Sequence, residues 1–139
     1  EMVDIEDVIN NEPIYSKSML SFITEQFNVE LVEGVFRQRL LICIIKEALE
    51  NRGIKVVRSG DDLFVDGKKL TVSIATKSMT SILIHTGVNI DSPGAPVAAC
   101  GLENDLGIKD IDNLAVEIMQ KYSEEIEDII MASTKVRGV

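Results

Sequence analysis

Between Val56 and Asn89 the chain gathers Arg58, Asp61, Asp62, Lys68, Lys69, His85 and Asn89, side chains able to do polar chemistry within a short span. Lys55, Arg58, Lys68, Lys69 and Lys77 make this stretch locally basic, although 14 basic and 23 acidic residues give the chain a net charge of −9. A basic patch on an acidic protein concentrates a small anion and suits it better than a polyanion. The same lysines fit a plainer role, guarding strand edges against pairing. Asp61 and Asp62 follow Gly60, and Asn89 precedes Asp91-Ser92-Pro93, so turn composition accounts for them equally well. His85 also reads as a hydrogen-bonding histidine of the core. Cys100 ends the apolar run Val97-Ala98-Ala99, where a thiol packs as a small hydrophobe.

These residues sit on what reads as an antiparallel meander. Val56, Val57 and Leu63 to Val65 are strand formers around the turn-like Arg58-Ser59-Gly60-Asp61. Asp66-Gly67 is a strong hairpin signal. Leu70, Val72 and Ile74 alternate with Thr71, Ser73 and Ala75, a strand with one wet face. A third run starts at Ile82 and ends at Asn89. Upstream, Met2, Val3 and Ile5 suggest the tail of a strand, broken at Asn10 to Pro13. Ser16 or Ser18 then N-caps a predicted helix to Phe27, with Met19, Leu20, Phe22, Ile23 and Phe27 on one face. A second helix is predicted from Val32 to Asn51, burying Val35, Phe36, Leu40, Cys43, Ile44 and Leu49, with Gly53 as its C-terminal glycine. Arg37 and Arg39 read as solvent-facing charges paired to Glu33 or Glu47.

Downstream, Asp91 to Gly94 is a turn, Pro96 to Cys100 a short strand, and Gly101 to Asp110 a loop. Asp110 or Asp112 caps a long helix with Leu114, Ala115, Ile118, Met119, Tyr122, Ile126, Ile129 and Ile130 on its apolar face. Lys135 and Arg137 end it with the charges the helix dipole favours. The order helix, helix, antiparallel strands, helix predicts an α+β domain with helices on one face of an antiparallel sheet. One domain over residues 1–139 is expected, lacking an N-terminal segment because the chain opens at Glu1 without an initiator Met.

The bulk composition narrows the function. A strongly acidic surface repels phosphate backbones, so no nucleic-acid partner is expected. No apolar run is long enough to span a bilayer and no signal-peptide pattern is present, so no membrane partner is expected. Two cysteines, Cys43 and Cys100, without a CxxC, form neither a disulfide framework nor a zinc knuckle, and fit a reducing, cytoplasmic compartment. A single histidine makes no histidine metal cluster, so no metal is expected.

Gly60-Asp61-Asp62-Leu63-Phe64-Val65, Asp66-Gly67-Lys68-Lys69-Leu70 and Thr86-Gly87-Val88-Asn89-Ile90 together resemble the core of the biotin and lipoate protein ligase fold, related to class II aminoacyl-tRNA synthetases. That likeness covers about a third of the chain. Over nearly its whole length the chain resembles an archaeal family of unknown function in the same superfamily, through the strands around Gly60-Asp61-Asp62-Leu63, Lys69 to Ala75 and Leu83 to Ile90. The resemblance implies a biotin/lipoate protein ligase-like fold. It implies that Lys69 matches the ligases' catalytic lysine, which lies against the carboxylate and α-phosphate during adenylate formation. An ammonium on a rigid strand neutralises charge growing on phosphorus oxygens. Asp62 matches the aspartate near the acyl-adenylate, and Asn89 the asparagine of the far strand. Asp61, His85 and Arg58 complete the substrate-binding candidates.

The lipoate-pathway octanoyltransferases of that superfamily give a second resemblance, through Lys69-Leu70, His85-Thr86-Gly87-Val88-Asn89 and Cys100-Gly101-Leu102. There the cysteine carries the acyl group as a thioester, and a neighbouring ammonium would depress its pKa. Some positions depart from the pattern. Val72 stands where the ligases have a glycine, the Arg/Gly-rich adenylate loop has no counterpart, Val57 or Arg58 replaces a tryptophan, and His85 lies one residue closer to Asn89 than the transferases have it. What the resemblance implies is a ligase or acyltransferase handling a carboxylic acid or acyl thioester, with ATP if ligase-like and an acid or acyl-carrier protein as partner. The alternative is a non-catalytic small-molecule or nucleotide-binding module of the same fold, or an assembly protein pairing its sheet edge in a homodimer.

Overall fold

The computed structural model describes residues 18–91, 98–136 and 138. In chain order the elements are β1 (Ser18–Phe27), α1 (Leu31–Glu50), β2 (Val57–Ser59), β3 (Asp62–Val65), β4 (Lys68–Lys69), β5 (Thr71–Lys77), β6 (Ser81–Asp91) and α2 (Ile111–Ala132). Two antiparallel three-stranded sheets result, ordered β1-β6-β5 and β2-β3-β4. The α+β class stands as predicted and the strands are antiparallel, but the predicted meander is divided between the two sheets. The strand predicted at the start of the chain, its break, Ser16 as a cap, the turn after Asp91 and the first residues of the Pro96–Cys100 run lie outside the described residues.

The helix predicted up to Phe27 is instead strand β1. It pairs with β6 along its length, from Ser18 opposite Asp91 to Phe27 opposite Ser81. Phe22, Ile23, Thr24 and Phe27 are strand formers, and this cross-strand pairing outweighs an apolar spacing that helix and strand can both use.

The second helix forms where expected, and Ile44 and Leu49 are buried as predicted, but the rest of its buried stripe is rotated. Gly34, Gln38, Leu41, Ile42, Ile45 and Ala48 also face inward, while Phe36 is 72% exposed. Gly34 sets this orientation: a Cβ there would run into Ile82 Cγ2, so only a bare backbone lets α1 approach β6 this closely. Gly53 takes a φ of +82° after the helix, as predicted. Arg37 pairs with Glu33 at 2.9 Å and also bonds Gln26.

At the β3–β4 hairpin Asp66 and Gly67 have φ of 52° and 76°, the left-handed pair of a type I′ turn. In β5 the predicted faces are exchanged. Leu70 is buried, but in the strand that follows Thr71 is fully buried and Val72 is 40% exposed. The reason is that Leu70 joins the two sheets, its N–H bonding Leu63 O and its carbonyl taking Asn89 N–H. The inward polar groups are satisfied: Thr71 Oγ1 accepts from Leu63 N at 3.0 Å, and Ser73 Oγ bonds Thr86 Oγ1 at 2.8 Å.

In α2, Leu114, Ile118 and Tyr122 are buried, whereas Met119, Ile129 and Ile130 of the predicted apolar face are exposed. Asp110 occupies the N-cap position without a side-chain cap bond; its carboxylate pairs with Arg52 at 3.1 Å. The helix ends at Ala132 with no basic residue in its last turn, and the Ser133 and Thr134 hydroxyls donate to the Ile130 and Met131 carbonyls instead.

Candidate functional site

Lys69 is the best-fixed charged residue of the central stretch. Its N–H donates to Ala98 O at 3.0 Å, and its carbonyl accepts from Cys100 N at 2.9 Å and Asn89 Nδ2 at 3.4 Å. Lys69 is the Cα partner of Phe64, and Asp62 lies two residues before Phe64 on the same strand face. The ammonium therefore reaches the Asp62 carboxylate, Nζ to Oδ1 3.2 Å, with both side chains about one-third exposed. The pair sits at the surface on a backbone held from three directions.

The other predicted residues take separate places. Asn89 is buried, and besides its bond to Lys69 it accepts from Leu102 N at 2.8 Å. It fastens the lysine's backbone rather than facing solvent. Asp61 accepts from Gln38 Nε2 at 3.4 Å, which ties the β2–β3 turn to α1. Arg58 donates to Gly60 O at 2.8 Å within the same turn. His85 does not join Lys69 and Asp62 on one sheet. It lies mid-β6 between Ile74 and Ile23, four residues or about 13 Å along the strand from Asn89, with Nε2 3.3 Å from Ser21 Oγ.

Cys100 is the correction with most bearing on chemistry. Ala99, not Cys100, bridges Lys69, and the bridge is parallel. Paired residues share a face, so Cys100 points to the opposite face, into the core, where it is 2% exposed. Burial pushes its thiol up to about 11, with Asp105 adding to the effect. The Lys68 ammonium pulls it down, but burial outweighs that pull, and the Lys69 ammonium lies on the other face.

Sequence reasoning missed Gln38. This 4% exposed side chain on α1 donates to Ser73 Oγ at 2.9 Å as well as to Asp61, linking the helix, β5 and the turn beside Asp62. Its signal was a polar residue on the apolar stripe between Gly34 and Leu41. Beyond Lys69, the outer face of β5 and β6 carries Val72 opposite Gly87, with Met19 Sδ lying over that glycine. Among the described residues no group of three His, Cys, Asp or Glu is placed to hold a metal. Among the described residues no helix is long and apolar enough to cross a membrane.

A family model described as Domain of unknown function (DUF366) matches residues 1–137. An uncharacterized protein of Methanocaldococcus jannaschii is 44% identical over 134 residues, which cover 92% of this chain and 60% of the relative. The chain thus spans 60% of the length of that curated relative. A solved protein of unknown function from Pyrococcus horikoshi matches 100% of this chain and 74% of its own, at 42% identity and a TM-score of 0.84. A mutant biotin protein ligase from Aquifex aeolicus in complex with biotin matches 78% of this chain and 50% of its own, at 19% identity and a TM-score of 0.66. A T. acidophilum protein with bound lipoic acid matches 89% and 63%, at 11% identity and a TM-score of 0.63. The last two establish a biotin/lipoate protein ligase-like fold.

Proposed function

The chain belongs to the DUF366 family, and from that premise we propose that it binds a small carboxylic acid or its activated acyl form against Lys69. The observation that carries this reading is the Lys69–Asp62 pair, 3.2 Å apart on a strand whose backbone is fixed by Ala98, Cys100 and Asn89. The ion pair with Asp62 draws the ammonium to one place at the surface, where its donors can meet an anion. In the ligase form, a carboxylate oxygen attacks the α-phosphorus of ATP, pyrophosphate leaves, and Lys69 offsets the charge gathering on the phosphate oxygens.

The acyltransferase form loses support because Cys100 is buried on the face opposite Lys69 with a raised pKa. A second reading, binding without turnover, is favoured by Val72 and Met19, which occupy the outer sheet face around Gly87. Both cysteines are unpaired, which fits a reducing, cytoplasmic compartment.

Acid-dependent exchange of pyrophosphate into ATP separates these readings. A panel of short aliphatic acids, lipoate and biotin would be assayed, each acid's binding followed in parallel by calorimetry. Exchange abolished in Lys69→Ala supports the ligase form. Binding lost in Lys69→Ala with no exchange in the native protein supports the binding module. Acid binding unaffected by Lys69→Ala would remove Lys69 from the site.

A further inference from the structure

We propose that β1 is the seam of a two-fold homodimer, in which the open edge of β1 pairs antiparallel with the same strand of a second copy. This inference is independent of the reading of Lys69. Among the described residues β1 pairs on one side only, with β6, so from Met19 to Phe27 its other edge presents unpaired backbone groups. Natural edge strands of that length are usually shortened, bulged, covered or charged. Beyond the bulge at Ser18/Met19, this one carries a single charge, Glu25, and it exposes Ile23 at 52% and Phe27 at 59%.

Among the described residues the neighbouring surface also lacks a cover. A cleft of about 340 Å³ runs between residues 21–26 of β1 and Met119, Tyr122 and Ser123 of α2. Six consecutive strand residues can line one cleft only if it follows the strand's edge, because single faces alternate. Met119 is 59% exposed beside it, and Val116 and Ile130 extend the same apolar helix face at 54% each. Thr24 Oγ1 and Tyr122 OH lie close to one another at its base, already buried within the one copy.

The sequence of β1 selects a second copy as the occupant. In an isologous pair the strand meets itself reversed. Centring the axis on Ile23 sets Ile23 against its own copy, Met19 against Phe27 and Ser21 against Glu25. Apolar residues then meet apolar ones, and the carboxylate meets a hydroxyl. Moving the axis one residue either way sets Glu25 against Met19 or Ile23, and two residues toward Phe27 sets Glu25 against itself. A net charge of −9 per copy opposes association, so salt should strengthen the dimer.

The test is sedimentation equilibrium of the full chain at low and high salt, with variants at Ile23. Its exposed side chain can be charged while circular dichroism checks that the fold persists. The native chain should dimerise, more tightly in high salt. Ile23→Lys alone and Ile23→Glu alone should each associate roughly tenfold more weakly or worse, because like charges then face each other across the axis. Mixing the two variants should restore dimers, which only a self-facing position 23 allows. A native chain that stays monomeric in high salt overturns the proposal. So do single variants that dimerise like the native chain, or a mixture that stays monomeric.

Discussion

Lys69 and Cys100 share a backbone hydrogen bond of 2.9 Å, yet their side chains leave the strand on opposite faces. The lysine meets Asp62 at the surface, while the thiol packs in the core with a pKa of about 11. At pH 7 such a thiol is ionised to the extent of only about one part in ten thousand. Iodoacetamide should therefore modify Cys43, which is partly exposed, well before Cys100. Mass mapping of a short labelling time course reads this directly. Faster labelling of Cys100 would return it to the list of nucleophiles.

Lys69→Ala should remove acid binding while leaving the fold intact. The Lys69–Asp62 pair is about one-third exposed, and ion pairs of that kind contribute about 0.2–1 kcal/mol to stability. Urea denaturation should show a loss within that range. A larger loss would make the lysine structural, and the binding result would then say nothing about ligand chemistry.

What the sequence made legible was local. Asp66-Gly67 needs two left-handed residues, so the hairpin and the place of Lys69 followed from the chain itself. The errors were tertiary. The apolar residues of β1 fit a helix until β6 supplies ten pairing partners. Thr71 looks like a wet-face residue until Leu63 N–H is seen to need its hydroxyl. The separation of His85 from Lys69 depends on which sheet each joins, and no spacing within the chain records that.

Gln38→Ala should destabilise the protein by about 1–3 kcal/mol, because it removes a buried amide and its bonds to the half-buried Ser73 and Asp61. The side chain is 4% exposed and donates to both Ser73 and Asp61. Gln38→Glu should be at least as damaging, since it places a carboxylate 3.4 Å from Asp61. Chemical denaturation of both variants checks the order. A neutral Gln38→Ala would show that solvent reaches these groups.

Two close-packed glycines should respond differently to alanine. At Gly101 a Cβ would lie 2.6 Å from the Ile90 carbonyl, which is fixed by its bond to Glu103 N–H. At Gly87 it would strike Met19 Sδ, the end of a flexible side chain that can swing away. Gly101→Ala should therefore cost about 1–3 kcal/mol or more and Gly87→Ala less, the difference reflecting backbone against side chain. Equal melting temperatures for the two variants would contradict this.

Arg52, just past α1, bonds Asp110 at 3.1 Å and Glu117 at 3.2 Å, clamping the start of α2 to the end of α1. The hydrogen bond from Arg52 holds the Asp110 carboxyl below the usual carboxylate range. A carboxyl depressed in the folded state binds its proton more weakly there than in the unfolded chain. Its contribution is therefore fully present above the unfolded value, about 3.9, and is lost as pH falls through the lower folded value. Asp110→Asn keeps the side chain's shape and removes the charge. The native chain should exceed this variant in urea midpoint at pH 7, and the gap should close as the pH falls below about 4. The comparison is read as the difference between the two midpoints, because the other carboxylates titrate in both proteins alike. A gap that persists unchanged at pH 3 would mean that the charge of Asp110 on Arg52 does not carry the difference.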